Sequence, residues 1–170
     1  MRHWHWLLVC LVALGGSGCA GYKLGPVNGL SAGEKSVQVD PFENKTLQPF
    51  LTDEVTQQVR KQLQLDGTYQ LATHNDGNIV VTGTIDHYER QQVSFSSSDV
   101  LTVLDYRLVL RAQVTARDRS SGKVILNQRV EGTTLIRVTT DLTSAERQAM
   151  PLLAADLAKN ATALLAEGSW

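Results

Sequence analysis

A chain of 170 residues has room for one domain, and its 42% apolar and 19% charged residues are an ordinary globular balance. The formal net charge of -1 excludes the strongly basic composition that generic nucleic-acid binding requires, so no nucleic-acid partner is expected. Cys10 and Cys19 both lie near the N-terminus. The remaining chain must therefore rely on its hydrophobic core, without disulfides.

Residues 1–18 are predicted to form a signal peptide. One fixed positive charge at Arg2 precedes an unbroken apolar run from Leu7 to Leu14, and the small residues Gly15 to Gly18 follow. The run is far shorter than the roughly 20 residues that cross a bilayer as a helix. The pattern therefore indicates export and cleavage, and it does not predict a membrane-spanning helix.

Cys19 follows these small residues directly, as in a bacterial lipobox, although Gly16 stands where leucine is usual. The sequence predicts that the Cys19 thiol carries covalent lipid and that the protein needs no other cofactor. More than one acyl chain gives stable anchoring, whereas a single chain binds a membrane only marginally. Ala20, rather than aspartate, follows the cysteine, which suggests the outer membrane. Residues 19–34 are predicted to be the lipidated N-terminus and tether.

A strand and a helix open the domain, which is predicted to span residues 35–168. The first strand is expected from Lys35 to Phe42, where apolar residues alternate with polar ones. A helix is expected from about Pro49 to Asp66, with Gly67 as its stop. Its apolar residues recur at every fourth position: Leu51, Val55, Val59 and Leu63.

A short strand is possible at Tyr69-Gln70-Leu71, and long strands follow. Ile79 to Phe95 is predicted as one strand, with Gly83 marking a bulge or a close approach. Leu104 to Ala116 alternates apolar even positions with polar odd positions, which is typical of a sheet with one open face. Val124 to Val138 is predicted to return as its hairpin partner, with Gly132 as a possible bend.

A second helix is predicted to begin with a capping box from Thr143 to Glu146 and to end at Gly168. Pro151 should either kink this helix or mark its true start. The economical arrangement is an α+β fold, a two-layer α/β sandwich. A mixed sheet of about four strands would carry both helices on one face. The first strand and the strand after the first helix are expected to pair in parallel.

No catalytic or metal-binding motif stands out in the sequence. The domain has two histidines, His74 and His87, without the spacing of a zinc site, and it lacks the glycine-rich and nucleophile motifs of common enzymes. The sequence therefore predicts a non-enzymatic protein. A periplasmic hydrolase is the weakest alternative, because nothing positions the serines from Ser94 to Ser98 or the pair Asp86 and Glu89 for catalysis.

Arginines on the polar sheet face are the candidates for binding. Arg107 and Arg111 alternate on one predicted strand, and guanidinium groups suit phosphate and carboxylate partners. The competing interpretation is a solvated face on which these arginines pair with residues such as Asp105 and Glu131.

Four segments together resemble the LptE-type lipopolysaccharide-assembly lipoproteins. They are Cys19-Ala20-Gly21-Tyr22-Lys23-Leu24-Gly25, Val37 to Thr46 with Pro49, Leu51 to Val55 with Leu63 and Gly67, and Asp105-Tyr106-Arg107-Leu108. The resemblance extends from Cys19 to about Leu165. The chain lacks the long C-terminal tail of some members.

The resemblance implies a lipid-anchored, periplasm-facing outer-membrane protein. Such a protein would plug and help to assemble the β-barrel lipopolysaccharide translocon of the LptD type, and it could bind lipopolysaccharide directly. Arg90, Arg119 and Lys123, near predicted strand ends, join Arg107 and Arg111 as candidate contacts with glycolipid or barrel. The alternative is an adaptor or activator lipoprotein of cell-wall or secretion machinery.

Overall fold

The computed structural model describes residues 33–95, 99, 103–138 and 141–167. The predicted signal peptide, Cys19 and most of the tether lie outside the described residues, as do Ser96 to Ser98 and Gly168. The elements are β1 (Ser36–Val39), β2 (Glu43–Asn44), α1 (Leu51–Asp66), β3 (Gln70–Leu71), β4 (Ile79–Phe95), β5 (Val103–Asp118), β6 (Val124–Arg137) and α2 (Leu142–Glu167).

The six strands form one mixed sheet in the order β3-β1-β4-β5-β6, with β2 also paired to β4. β1 runs parallel to β3 and β4, and β2 runs parallel to β4, whereas β4, β5 and β6 are successively antiparallel. The α+β sandwich and the parallel pairing of the first strand are therefore confirmed. The sheet exceeds the expected four strands because β2 and β3 are two-residue strands, too short to leave an alternating pattern.

The core lies between one face of the sheet and the two helices. Even-numbered residues of β5 from Leu108 to Ala116 are fully buried and belong to this core, as the alternation predicted. From α1 and α2, the buried residues Val55, Val59, Leu153 and Leu157 complete it. The opposite, odd-numbered side of β5 forms the surface called here the open face.

Two strand glycines allow close packing. A Cβ atom on Gly83 would lie 2.1 Å from a ring carbon of Phe42, and one on Gly132 would lie 2.5 Å from the backbone nitrogen of Leu157. The close approach predicted as one of two possibilities at Gly83 is therefore confirmed. At Gly132 the missing side chain lets α2 lie directly on β6.

A β-bulge at Asp86 divides β4 into two parts. Ile85 pairs with Ala112 and His87 pairs with Arg111, so one extra residue faces β5 at this point. Odd-numbered residues face the helices before the bulge, whereas the even-numbered residues from Tyr88 to Gln92 do so after it. A second register shift at Val93 then places Ser94 opposite Asp105.

Side chains of α2 cover part of the outer edge of β6. Asp156 accepts a hydrogen bond from the Thr133 N–H at 2.8 Å, and Asn160 donates one to the Glu131 carbonyl at 2.8 Å. These contacts satisfy outward backbone groups that another strand could otherwise pair with.

Candidate functional site

The five predicted contact residues lie in three separate places. Arg107 and Arg111 are on the open face of β5. Arg90 is on β4 beside α2, and Arg119 and Lys123 belong to the turn between β5 and β6. Since β5 advances roughly 3.3 Å per residue, about 36 Å separates Arg107 from that turn. The structure therefore pairs Arg107 with Arg111 and Arg119 with Lys123, and it does not bring the five residues together at one site.

Arg111 and Arg107 differ in their surroundings. The Arg111 Nε donates to Glu131 Oε2 at 2.6 Å, and this hydrogen bond raises the pKa of Arg111. Arg107 is exposed and has no hydrogen-bond or ion-pair partner among the residues that the structure describes. Its partner across the sheet is Leu135, which is 63% exposed. Arg107 is therefore an available cation beside an apolar side chain.

The rest of the open face largely neutralises itself. Arg137 Nε donates to Asp105 Oδ1 at 2.7 Å, and Arg129 Nη2 donates to Asp86 Oδ2 at 2.9 Å. The hydrogen bond from Arg137, together with one from Ser94, lowers the pKa of Asp105 to about 2. The predicted lacing of arginines with Asp105 and Glu131 is observed. Among the described residues, Arg107 has no partner, and Arg117 donates to the Gly122 backbone carbonyl instead of a carboxylate.

We expect Arg137→Gln to raise the pKa of Asp105 toward its ordinary value of 3.8. Because the folded-state pKa is depressed, the stabilising effect of this carboxylate is present above about pH 3.8 and is lost as the pH falls toward about 2. NMR titration of the Asp105 carboxyl carbon measures the change. Arg129→Gln is the matched control, since it removes a guanidinium from Asp86 and leaves Asp105 paired. An unchanged Asp105 titration in Arg137→Gln would contradict the assignment.

Arg119 and Lys123 occupy the turn at the opposite end of the sheet. The Arg119 guanidinium donates to the Gly77 carbonyl at 2.8 Å and to Gln38, so it ties the turn to the β1 side of the sheet. Lys123 is exposed, and its backbone N–H donates to Ser121 Oγ at 3.3 Å. Arg119 thus has a structural role in this fold whether or not it also contacts a ligand.

Arg90 belongs to a cluster that joins β4 to α2. The Tyr88 hydroxyl donates to Glu146 Oε1 at 2.9 Å, and Arg90 Nε lies 3.4 Å from the same oxygen. Burial, followed by the hydrogen bond to Glu146, raises the pKa of Tyr88. The predicted capping box is therefore wrong. The helix α2 begins at Leu142, and Asp141 caps it by accepting the Ser144 N–H at 3.1 Å, while Glu146 bonds to Tyr88 of β4.

An exposed aromatic side chain, Phe50, directly precedes the first residue of α1. Phe50 is 83% exposed and has a left-handed φ of 65°, which is strained for a bulky residue. It lines a pocket of about 390 Å³ between the first turns of α1 and α2, beside Met150 and Pro151. The sequence could not predict this pocket, because the residues that line it come from two segments that lie about 100 positions apart in the chain.

Two searches of the described residues give no positive finding. No group of three or more histidine, cysteine, aspartate or glutamate side chains could hold a metal ion in the part of the chain that the structure describes. Within the same residues, no helix combines the length and the apolar character needed to cross a membrane.

These features define a two-layer α+β sandwich protein with helices on one sheet face and a polar open face on the other. The chain belongs to the LptE lipopolysaccharide-assembly family, which matches residues 34–165. This confirms the resemblance drawn from the sequence segments. At the level of the family, the protein is a lipopolysaccharide-assembly lipoprotein.

Solved structures share the fold at low sequence identity. Protein XCC0632 of Xanthomonas campestris has a TM-score of 0.59 and 10% identity, and the alignment covers 85% of this chain and 90% of that one. Protein CT253 of Chlamydia trachomatis has a TM-score of 0.57 and 11% identity, with 79% and 97% covered. Comparison with curated proteins gives no match.

Proposed function

We propose that this protein is an outer-membrane lipoprotein, anchored by lipid on Cys19 and facing the periplasm. It assembles with the β-barrel lipopolysaccharide translocon, plugs the barrel and helps to insert lipopolysaccharide into the outer leaflet. The role is one of binding and assembly, without catalysis. The observation that carries this proposal is the family match over residues 34–165.

The open face supports a role inside a hydrated partner. Arg111, Arg129 and Arg137 are matched by carboxylates at 2.6 to 2.9 Å, so this part of the surface keeps its own ion pairs when another protein approaches. Charged groups that are already paired limit the desolvation cost of docking. Such a surface suits a polar barrel lumen better than a lipid-facing position.

Arg107 is the strongest candidate for direct glycolipid contact on this face. Its guanidinium has no described partner, and Leu135 beside it is exposed. A free guanidinium next to an apolar side chain complements an amphiphile that carries phosphate and acyl groups. Arg111 contributes less in this proposal because Glu131 already holds it.

Affinity purification from outer membranes tests the proposal. The wild-type chain is expected to co-purify with one large β-barrel protein. Cys19→Ser is expected to lose lipid labelling and membrane retention, because its hydroxyl cannot replace the thiol that receives the lipid. Mass spectrometry of the eluate and of the N-terminal peptide provides both measurements.

Both the co-purification and the Cys19→Ser measurement have an outcome that would contradict the proposal. A wild-type eluate that contains a cell-wall enzyme or a secretion subunit, and no barrel, would support the adaptor alternative. Full membrane retention of Cys19→Ser would remove the lipid-anchor part of the proposal. Ala20→Ser is the matched control, since it makes a similarly small change beside the lipidation position and should leave labelling intact.

A further inference from the structure

Beyond the bulge, no strand of the described residues pairs with the outer edge of β4. β2 ends its pairing with β4 at Ile85, where the Lys45 N–H donates to the Ile85 carbonyl at 2.9 Å. From His87 to Phe95, β4 pairs with β5 alone among the strands that the structure describes. This edge differs from that of β6, part of which α2 covers through Asp156 and Asn160.

The ladder geometry identifies the backbone groups that are free. The Val138 N–H donates to the Leu104 carbonyl at 2.8 Å, so even-numbered residues of β5 direct their backbone hydrogen bonds toward β6. Their partners on β4 then occupy non-hydrogen-bonded pairs and direct their own N–H and C=O groups outward. These partners are Tyr88, Arg90 and Gln92. No described residue hydrogen-bonds to these outward backbone groups.

Charged side chains along this edge already have partners. An open groove of about 580 Å³ lies between residues 45–48 and residues 86–90. Its charged side chains form ion pairs, which are Lys45 with Glu43, Asp86 with Arg129, His87 with Glu89 when protonated, and Arg90 with Glu146. The groups in this groove that lack a described hydrogen-bond partner are therefore neutral backbone N–H and C=O groups. A charged lipid headgroup would not satisfy them.

An extended polypeptide can form hydrogen bonds with these backbone groups. Its own N–H and C=O groups repeat with the spacing of the β4 edge, and its side chains alternate between the two sides of the sheet. The fully exposed Leu47 lines the groove, so an apolar side chain on the incoming strand would find a contact there. An uncharged, alternately apolar strand is the occupant whose chemistry matches the edge.

A second copy of this chain fits less well. A twofold pairing of two β4 edges that uses all three outward residues would be centred on Arg90 and would place it opposite its symmetry mate. Like charges directly opposite each other destabilise a strand pair. The edge therefore favours a strand from another protein.

We propose that Tyr88, Arg90 and Gln92 form a docking edge on which an extended segment of the partner protein adds as a further strand of the sheet. This inference deepens the proposed function and rests on it for the source of the strand, which is the barrel protein. It adds a strand-pairing contact at the β4 edge to the proposed position in the barrel lumen and leaves Arg107 available for glycolipid.

Gln92→Pro tests the docking edge, with Gln92→Ala as the matched control. Proline removes the outward N–H, while the β4–β5 ladder loses no hydrogen bond because Gln92 lies in a non-hydrogen-bonded pair. Proline is tolerated at edge positions of this kind. We expect recovery of the barrel from outer membranes to fall at least tenfold with Gln92→Pro and to stay at the wild-type level with Gln92→Ala. Circular dichroism melting of both variants checks that the fold is retained.

Photo-crosslinking from p-benzoylphenylalanine at position 92 provides the second measurement. The expected adduct joins position 92 to one short segment of the barrel protein. An adduct with a second copy of the chain, an adduct with lipid alone or no adduct would overturn the proposal. Photo-crosslinking also tests the docking edge if the Gln92→Pro variant fails to fold.

The two proposals fail in different ways. A wild-type chain that retains no barrel contradicts the proposed function. In that case a position-92 adduct that maps to one short segment of another protein still supports the docking edge, and its absence overturns it. Barrel recovery that is equal in wild type and in a folded Gln92→Pro variant overturns the docking edge alone.

Discussion

Replacement of Phe42 with alanine is expected to lower the free energy of unfolding by about 4 kcal/mol, the middle of the range for removing a buried phenylalanine. Phe42 is 1% exposed, and its ring lies over Gly83, where even a Cβ atom would meet it at 2.1 Å. Its backbone N–H donates to Thr56 Oγ1 at 3.0 Å, which holds the chain in place and limits collapse into the cavity. The loss should therefore be close to the full cavity cost.

Urea unfolding of the mature chain measures this loss from the shift in midpoint at constant slope. Phe50→Ala is the matched control, because it deletes the same ring at a position that is 83% exposed. Its free energy of unfolding should change by no more than about 0.5 kcal/mol. Similar losses in the two variants would show that the Phe42 ring is not the core residue described here.

Gly132→Ala is expected to lower the free energy of unfolding by about 3 kcal/mol, near the upper end for overpacking a core. The new methyl group would lie 2.5 Å from the Leu157 nitrogen and 2.8 Å from the Leu153 carbonyl oxygen. Both atoms belong to the backbone of α2, so no rotamer change can relieve the contact. The helix itself must move away from β6, and the buried side chains of Leu153 and Leu157 would lose part of their packing.

Thr133→Ala is the control for Gly132→Ala. Thr133 is exposed on the other side of the same strand, and the bond to Asp156 uses its backbone N–H, which alanine retains. The control should cost no more than about 0.5 kcal/mol. A Gly132→Ala variant as stable as this control would mean that α2 does not lie as close to β6 as described.

The main elements were predictable because their residue patterns are long. The alternation along β5 identified both its faces, and the stripe from Leu51 to Leu63 identified the buried side of α1. Of the two-residue strands, β3 lies within the possible short strand at Tyr69 to Leu71, whereas β2 was not predicted, since so few residues carry no periodicity. They exist because the chain passes alongside β4 and β1 with free backbone groups.

The bulge at Asp86 could not be found from residue type. The apolar residues Ile79, Val81 and Ile85 share one parity, and an unbroken strand would place His87 on the same, helix-facing side. The extra residue shifts the phase, so that Tyr88 takes that side and reaches Glu146. Aspartate is compatible with a regular strand or a turn, so its identity alone does not show where pairing slips.

The candidate site was only partly predictable for a related reason. Sequence parity identified Arg107 and Arg111 as neighbours on one face, and it anticipated acidic partners there. It could not show that Glu131 takes Arg111 and leaves Arg107 without a described partner, because that choice depends on side-chain geometry across the sheet. The free edge of β4 was equally hidden, since it depends on where β2 stops.

The hydrogen bonds between the β6 edge and the side chains of Asp156 and Asn160 affect where a further strand can be added to the sheet. A molecule with two open edges can join an indefinite row of strands, as in a fibre, whereas one with a covered edge accepts an addition on one side only. In the described part of this chain, α2 covers the β6 edge only at Glu131 and Thr133. Strand addition is therefore hindered at that part of β6, whereas the β4 edge beyond the bulge has no such cover among the residues that the structure describes.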